Sequence, residues 1–152
     1  MVENEEYIRS RIAPCSLHCG KCFAFKGGDV AEMSRKLKEA LGNFAPYAHR
    51  FVELLDQPEF KHYPAFEKML DLFSRPTCRG CRVESCNLFK DCKVRDCAKE
   101  RHVDFCYQCA EFPCGSTGFD EHLQKRSVEI NRQIREYGLE HYFNEIKDRS
   151  RY

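Results

Sequence analysis

The chain has 152 residues, 42% of them hydrophobic, and sets 25 Lys and Arg against 24 Asp and Glu for a formal charge of +1. That size fits one domain over 1–152, and the charge balance gives no whole-chain pull toward nucleic acid or an anionic membrane. No apolar run approaches the roughly 20 residues of a membrane helix, and the N-terminal stretch lacks the apolar region of a signal peptide, so a cytoplasmic protein with no membrane partner is expected.

Residues 1–14 read as a polar lead-in. Cys15-Ser16-Leu17-His18-Cys19-Gly20-Lys21-Cys22 follows, a Cys-x3-Cys-x2-Cys that gathers three sulfurs and leaves a tetrahedral metal one ligand short. Phe23, Ala24 and Phe25 come next, able to pack beside such a metal. Lys26-Gly27-Gly28 is a turn.

Residues 29–73 are predicted helical. The first helix starts at Asp29, with Glu32 as its capping-box partner, and carries Met33, Leu37, Ala40 and Leu41 on one face. Gly42-Asn43 ends it. A second helix starts near Pro46, with Phe51, Leu54 and Leu55 as its apolar face. Gln57-Pro58 breaks it. The third starts near Pro64 with the stripe Phe66, Met69, Leu70 and Phe73. All three stripes are expected to be core.

Residues 78–114 hold eight of the eleven cysteines: Cys78, Cys81, Cys86, Cys92, Cys97, Cys106, Cys109 and Cys114. Cys78-Arg79-Gly80-Cys81 and Cys106-Tyr107-Gln108-Cys109 are Cys-x-x-Cys pairs, in which one tight turn can present two sulfurs to one ion. Gly80 suits such a turn by tolerating positive φ. Long apolar runs are scarce here, so cross-links must hold the segment. In a reducing compartment clustered thiols bind metal more often than they pair, and an odd cysteine count also argues against a closed disulfide framework.

Residues 117–148 return to helix. A long polar helix near 118–137 bears the seam Leu123, Ile130, Ile134 and Tyr137, and Gly138 stops it. A short last helix uses Leu139, Tyr142, Phe143 and Ile146. No β-alternation and no internal repeat is found. The expected fold is mainly α: a small helical domain with a cysteine-rich, metal-stabilised insert of loops and zinc knuckles.

The metal ligands expected are Cys15, Cys19, Cys22, Cys78, Cys81, Cys86, Cys92, Cys97, Cys106, Cys109 and Cys114, holding two or three zinc ions. Each Cys-x-x-Cys pair should share one ion and the N-terminal trio another. His18 and His102 are the nearest candidates for a twelfth ligand. An iron–sulfur cluster on the trio is the alternative cofactor. The trio's spacing is also that of the radical S-adenosylmethionine enzymes, but their repeated βα barrel needs more chain than this.

The motifs resemble those of DUF3795, a family of small cysteine-rich prokaryotic proteins of unknown function. Its opening Cys-Gly-Leu-x-Cys-x-x-Cys-x-Ala-aromatic is matched by residues 15–25, with Ser16 in place of glycine. Its Cys-x-Gly-Cys corresponds to residues 78–81, its Cys-x-Ile/Val-Arg-x-Cys-Ala to 92–98, and its closing Cys-x-x-Cys-x-acid-aromatic-Pro-Cys to 106–114. Cys86 stands farther before Cys92 than the family pattern has it. The resemblance implies a prokaryotic, zinc-binding protein and supplies no activity.

No Gly-rich phosphate loop, His-Glu-x-x-His or Gly-x-Ser-x-Gly accompanies the cysteines, so no catalytic residues are assigned. The leading expectation is a metal-stabilised binding module for a protein or small ligand. One alternative is a redox or metal-cluster enzyme using Cys15, Cys19 and Cys22. The other is a nucleic-acid-binding zinc protein using Arg and Lys with Phe89, Phe105 and Tyr107, against which Asp91, Asp96, Glu100 and Glu111 are interleaved.

Overall fold

The computed structural model describes residues 4–152. Among these the architecture is helical with no β-strand. The helices are α1 (Glu5–Arg11), α2 (Asp29–Leu41), α3 (Ala45–Leu54), α4 (Tyr63–Ser74), α5 (Val94–Glu100), α6 (Glu121–Tyr137) and α7 (Leu139–Ile146).

The expected polar lead-in is instead α1, apart from residues 1–3, which lie outside the described range. Asn4 caps it by accepting from the Glu6 N–H at 3.0 Å, with Glu5 and Glu6 in the first turn and Arg9 and Arg11 in the last, as the helix dipole favours. Tyr7 within it is exposed, whereas Ile8 and, at the C-cap, Ile12 are both fully buried. They join Phe105, Ile134, Tyr142 and Phe143 in one core cluster. Thus α1, α6 and α7 form a body, and the cysteine-rich segment contributes Phe105 to its centre.

Helices α2 to α4 form a peripheral layer. Here the expected core faces are mostly wrong. Met33 is 69% exposed and Leu54 63%, and Leu37, Leu55, Phe66 and Met69 are also exposed. The buried positions are the small Ala31, Ser34, Ala48 and Ser74, with Leu70. Small residues let α2 and α4 approach closely, and the larger apolar groups are left outside. The inner contacts are aromatic, with Phe44 against Tyr63 at 5.2 Å and Phe51 against Phe60 at 5.4 Å between ring centroids. The layer meets the cysteine-rich part through Phe23 on Phe73 and through Lys21 with Asp29. Asp29 therefore serves an ion pair and not the expected capping box; the N-cap position is Gly28.

Helix α6 starts three residues later than expected, where Asp120 accepts from the Leu123 N–H at 2.9 Å. Its buried face reads Leu123, Ser127, Asn131 and Ile134, while Tyr137 is exposed. The expected α7 stripe holds: Tyr142 and Phe143 are buried, with Leu139 and Ile146 packed beside them.

Candidate metal centre

The N-terminal trio sits on two consecutive turns. In the first, Ala13 donates to the Leu17 carbonyl at 2.9 Å and Ser16 to the Ala13 carbonyl at 2.8 Å, which forces Ser16 to φ +67°. Glycine takes such a conformation freely, which accounts for the glycine that the family pattern carries there. In the second turn, Cys19–Lys21 forms one 3-10 turn and the Cys22 N–H donates to the Cys19 carbonyl at 2.9 Å.

The chain then runs alongside Cys78. The Cys78 N–H donates to the Ala24 carbonyl at 3.1 Å and the Lys26 N–H to the Cys78 carbonyl at 2.7 Å. These two bonds dock the trio onto the first Cys-x-x-Cys. Gly80 has the positive φ expected of it, +95°, and its N–H points at Cys78 Sγ, 3.4 Å away; the hydrogen-bonded turn here starts at Gly80, whose carbonyl accepts from the Val83 and Glu84 N–H groups at 3.0 Å, and does not close across Cys78–Cys81 as expected. The Phe89 N–H points in the same way at Cys86 Sγ, also at 3.4 Å. Amide donors of this kind stabilise a thiolate.

Seven cysteines line one cavity of about 40 Å³: Cys15, Cys19, Cys22, Cys78, Cys81, Cys86 and Cys92. Cys19 Sγ and Cys81 Sγ are 3.8 Å apart. Two thiolates on one tetrahedral zinc, each at about 2.3 Å, stand about 3.8 Å apart by geometry. The sulfur contact with Cys81 holds the Cys19 thiol down to about 7 and the Cys86 thiol down to about 5, and pushes the Cys81 thiol up. Burial pushes Cys15 up strongly. Cys15 is packed among Ala13, Leu17, Val94 and Leu123, so it behaves as part of the core.

The other four cysteines gather separately. Cys106 and Cys109 form a second 3-10 turn. Burial raises the Cys106 thiol to about 12, with nearby Cys114, Cys97 and Cys109 adding to the rise. All eleven thiols are free of disulfides. Among the described residues, no group of three or more His, Cys, Asp or Glu side chains is arranged so that it could hold one metal ion.

Neither candidate histidine lines the cysteine cavity. His18 is buried against the Phe143 ring, 5.4 Å between centroids, and burial lowers its pKa to about 4. His102 is exposed and lies in a shallow groove with Lys99 and Gln108.

Three contributors escape a reading of the sequence. Ser127 and Asn131 of α6 hold the Cys15 carbonyl at 2.7 and 3.0 Å, and Asn131 also accepts from the Tyr107 N–H at 3.0 Å. Two polar residues four apart on an otherwise apolar face were the available signal. Arg151 lines the cavity and donates to the His18 carbonyl at 2.8 Å, while its own carbonyl accepts from Arg126. Nothing local marks it.

A helical frame stitched to two cysteine-bearing segments defines a small, cysteine-rich, mainly helical protein. The family model described as a protein of unknown function, DUF3795, matches residues 11–118, and the chain belongs to that family. No curated protein and no solved structure matches it. No helix among the described residues is long and apolar enough to cross a membrane.

Proposed function

We propose that this protein is a zinc-stabilised interaction module, in which zinc held by Cys19, Cys22, Cys78 and Cys81 staples two distant chain segments and presents helices α2–α4 to a partner protein. The carrying observation is the 3.8 Å separation of Cys19 and Cys81 sulfurs within a small cysteine-lined cavity. The donor chemistry suits zinc: Cys19 and Cys22 on one 3-10 turn, Cys78 and Cys81 three positions apart beside it, Cys86 as a fifth thiol lining the same cavity, amide donors to the Cys78 and Cys86 sulfurs, and Arg151 to offset thiolate charge. Bringing the remaining sulfurs inward takes rotamer changes of order 1 kcal/mol each, small beside the ~10 kcal/mol of structural zinc. Ligands of a four-iron cluster sit on different irons and stand farther apart, which favours zinc over the cluster at this site.

The interaction role rests on the exposed apolar groups of α2–α4. They are Met33, Leu37, Leu54, Phe66, Met69 and Leu72, all exposed and all carried on these three helices. The nucleic-acid reading is disfavoured. Phe105 is buried, and Arg82 lies over its ring at 4.7 Å while donating to the Arg9 and Ile12 carbonyls. Arg79, Arg95 and Arg101 pair with Glu84, Asp96 and Glu111. Free thiols and zinc together suit a reducing, cytoplasmic setting.

The test is elemental analysis with a visible spectrum on protein purified without added metal, then melting with and without a chelator. Zinc, a colourless spectrum and a large drop in Tm on chelation are expected. Less than about one zinc per chain, or an iron–sulfur absorption band, overturns the reading.

A further inference from the structure

We propose that Cys19 and Cys81 form a redox couple: hydrogen peroxide joins their sulfurs in a reversible disulfide that closes the chain around helices α2–α4. The couple stands without any metal; only its competition with zinc rests on the reading above.

The first argument is apposition across the fold. Cys19 Sγ and Cys81 Sγ are 3.8 Å apart although 62 positions separate them along the chain. A disulfide needs about 2.05 Å between sulfurs, so modest rotations of two side chains complete the approach. Protein hydrogen bonds hold both backbones in place. The Cys19 N–H donates to the Leu17 carbonyl at 3.0 Å, and the Cys19 carbonyl accepts from the Cys22 N–H at 2.9 Å. Directly after Cys81, Arg82 Nε donates to the Arg9 and Ile12 carbonyls at 2.8 and 2.9 Å. The main-chain bonds of Cys78 with Ala24 and Lys26 keep the two segments side by side.

The second argument is access and size. Cys19 and Cys81 are half-buried, whereas Cys15 and Cys78 are buried. The cavity that the pair lines has a volume of about 40 Å³ and is walled by Leu17, Phe25, Leu88 and Phe89. Such a space takes a guest the size of water or hydrogen peroxide and refuses a bulky disulfide oxidant.

The chemistry closes with that one oxidant. One thiolate attacks a peroxide oxygen: an S–O bond forms, the O–O bond breaks and hydroxide leaves. The second thiolate attacks the oxidised sulfur: the S–S bond forms, the S–O bond breaks and a second hydroxide leaves. The two thiol protons turn both hydroxides into water. Each sulfur gives up one electron and the peroxide takes two. A small-molecule thiol reverses the bond by exchange. The loop so closed contains all of α2–α4, the layer read above as facing a partner. Neither sulfur is a thiolate ligand while the disulfide stands, so oxidation and zinc exclude each other.

The experiment titrates the full chain, as purified, with hydrogen peroxide. Crosslinks are mapped by mass spectrometry of unreduced peptides, and released zinc is read with a chromogenic chelator. The expected product is a Cys19–Cys81 crosslink, formed with the loss of two thiols per peroxide consumed and reversed by dithiothreitol. Any zinc at the site should be released in step with it. In the presence of a chelator, the oxidised protein should melt above the reduced protein, because a long loop is closed. Cys19–Cys22 or Cys78–Cys81 as the main crosslink overturns the couple, as does oxidation to sulfinic acid without a crosslink. No gain in Tm overturns the closure around α2–α4. A Cys19–Cys81 crosslink in protein that carries no zinc leaves the couple standing and overturns the zinc reading instead.

Discussion

Asn131 Nδ2 donates to the Cys15 carbonyl at 3.0 Å, tying the middle of α6 to the first cysteine motif. The same side chain accepts from the Tyr107 N–H at 3.0 Å, inside the last motif. One fully buried amide therefore fixes the distance between two cysteine turns, using both of its hydrogen-bonding ends.

Asn131→Leu is expected to destabilise by about 2–4 kcal/mol, because it buries the Tyr107 N–H without a partner and strips one of two donors from the Cys15 carbonyl. Asn131→Asp keeps an acceptor for Tyr107 but buries a carboxylate facing the Cys15 carbonyl, and should cost at least as much. Chemical denaturation of both variants checks this, and a loss below about 0.5 kcal/mol for either refutes it.

Ser16→Gly should stabilise the protein by about 1 kcal/mol. Ser16 is held at φ +67°, and its buried Oγ has no hydrogen-bond partner. Ser16→Ala removes only the hydroxyl and keeps the strained Cβ. Stability in the order Gly, then Ala, then Ser is the expected outcome of thermal melts; alanine ranking above glycine would assign the cost to the hydroxyl alone.

Gly118 and Gly27 both have positive φ, at +76° and +84°, yet their surroundings differ. A Cβ at Gly118 would collide with the Asp91 carbonyl oxygen, beside Cys92, whereas one at Gly27 meets nothing within 4 Å. Gly27→Ala should cost about 1 kcal/mol, the conformational term alone. Gly118→Ala should cost more than about 3 kcal/mol, because two backbone segments must part. Comparable melting temperatures for the two would contradict the packing described around Asp91.

On the zinc reading, Cys78→Ser and Cys106→Ser should each lower Tm by more than about 10 °C, since each would remove an expected ligand and metal-binding energy is also folding energy. His122→Ala, on the exposed face of α6, should shift it by no more than about 2 °C. Equal melting temperatures across the three would sink the metal reading. Repeating the melts with a chelator adds a control: the gap between His122→Ala and the cysteine variants should then close.

How far the fold was legible depends on how local each determinant is. The boundaries of α2, α4 and α7 follow from prolines, glycines and apolar spacing, all signals within one turn of the helix they mark. The positive φ of Gly80 matches the conformational freedom expected of the glycine between Cys78 and Cys81. The spacing of the cysteines alone marks Cys106–Cys109 as a two-thiol turn, whereas the turn at Cys19–Cys22 was read only as part of a three-cysteine motif. Three things required the tertiary structure. The first is which apolar residues are buried: Ile8 and Ile12, in a stretch that reads as polar, reach the core because α7 and Phe105 close over them, while Met33 and Leu54 stay outside because small residues line the α2–α4 contact. The second is which cysteine segments meet, since the chain just after the N-terminal trio runs beside Cys78 through main-chain bonds at Ala24 and Lys26. The third is the reach of single side chains such as Asn131 and Arg151, whose partners lie more than 20 residues away along the chain. Hydrogen bonds over such separations depend on how helices dock, and docking is a property of whole surfaces that no local pattern encodes.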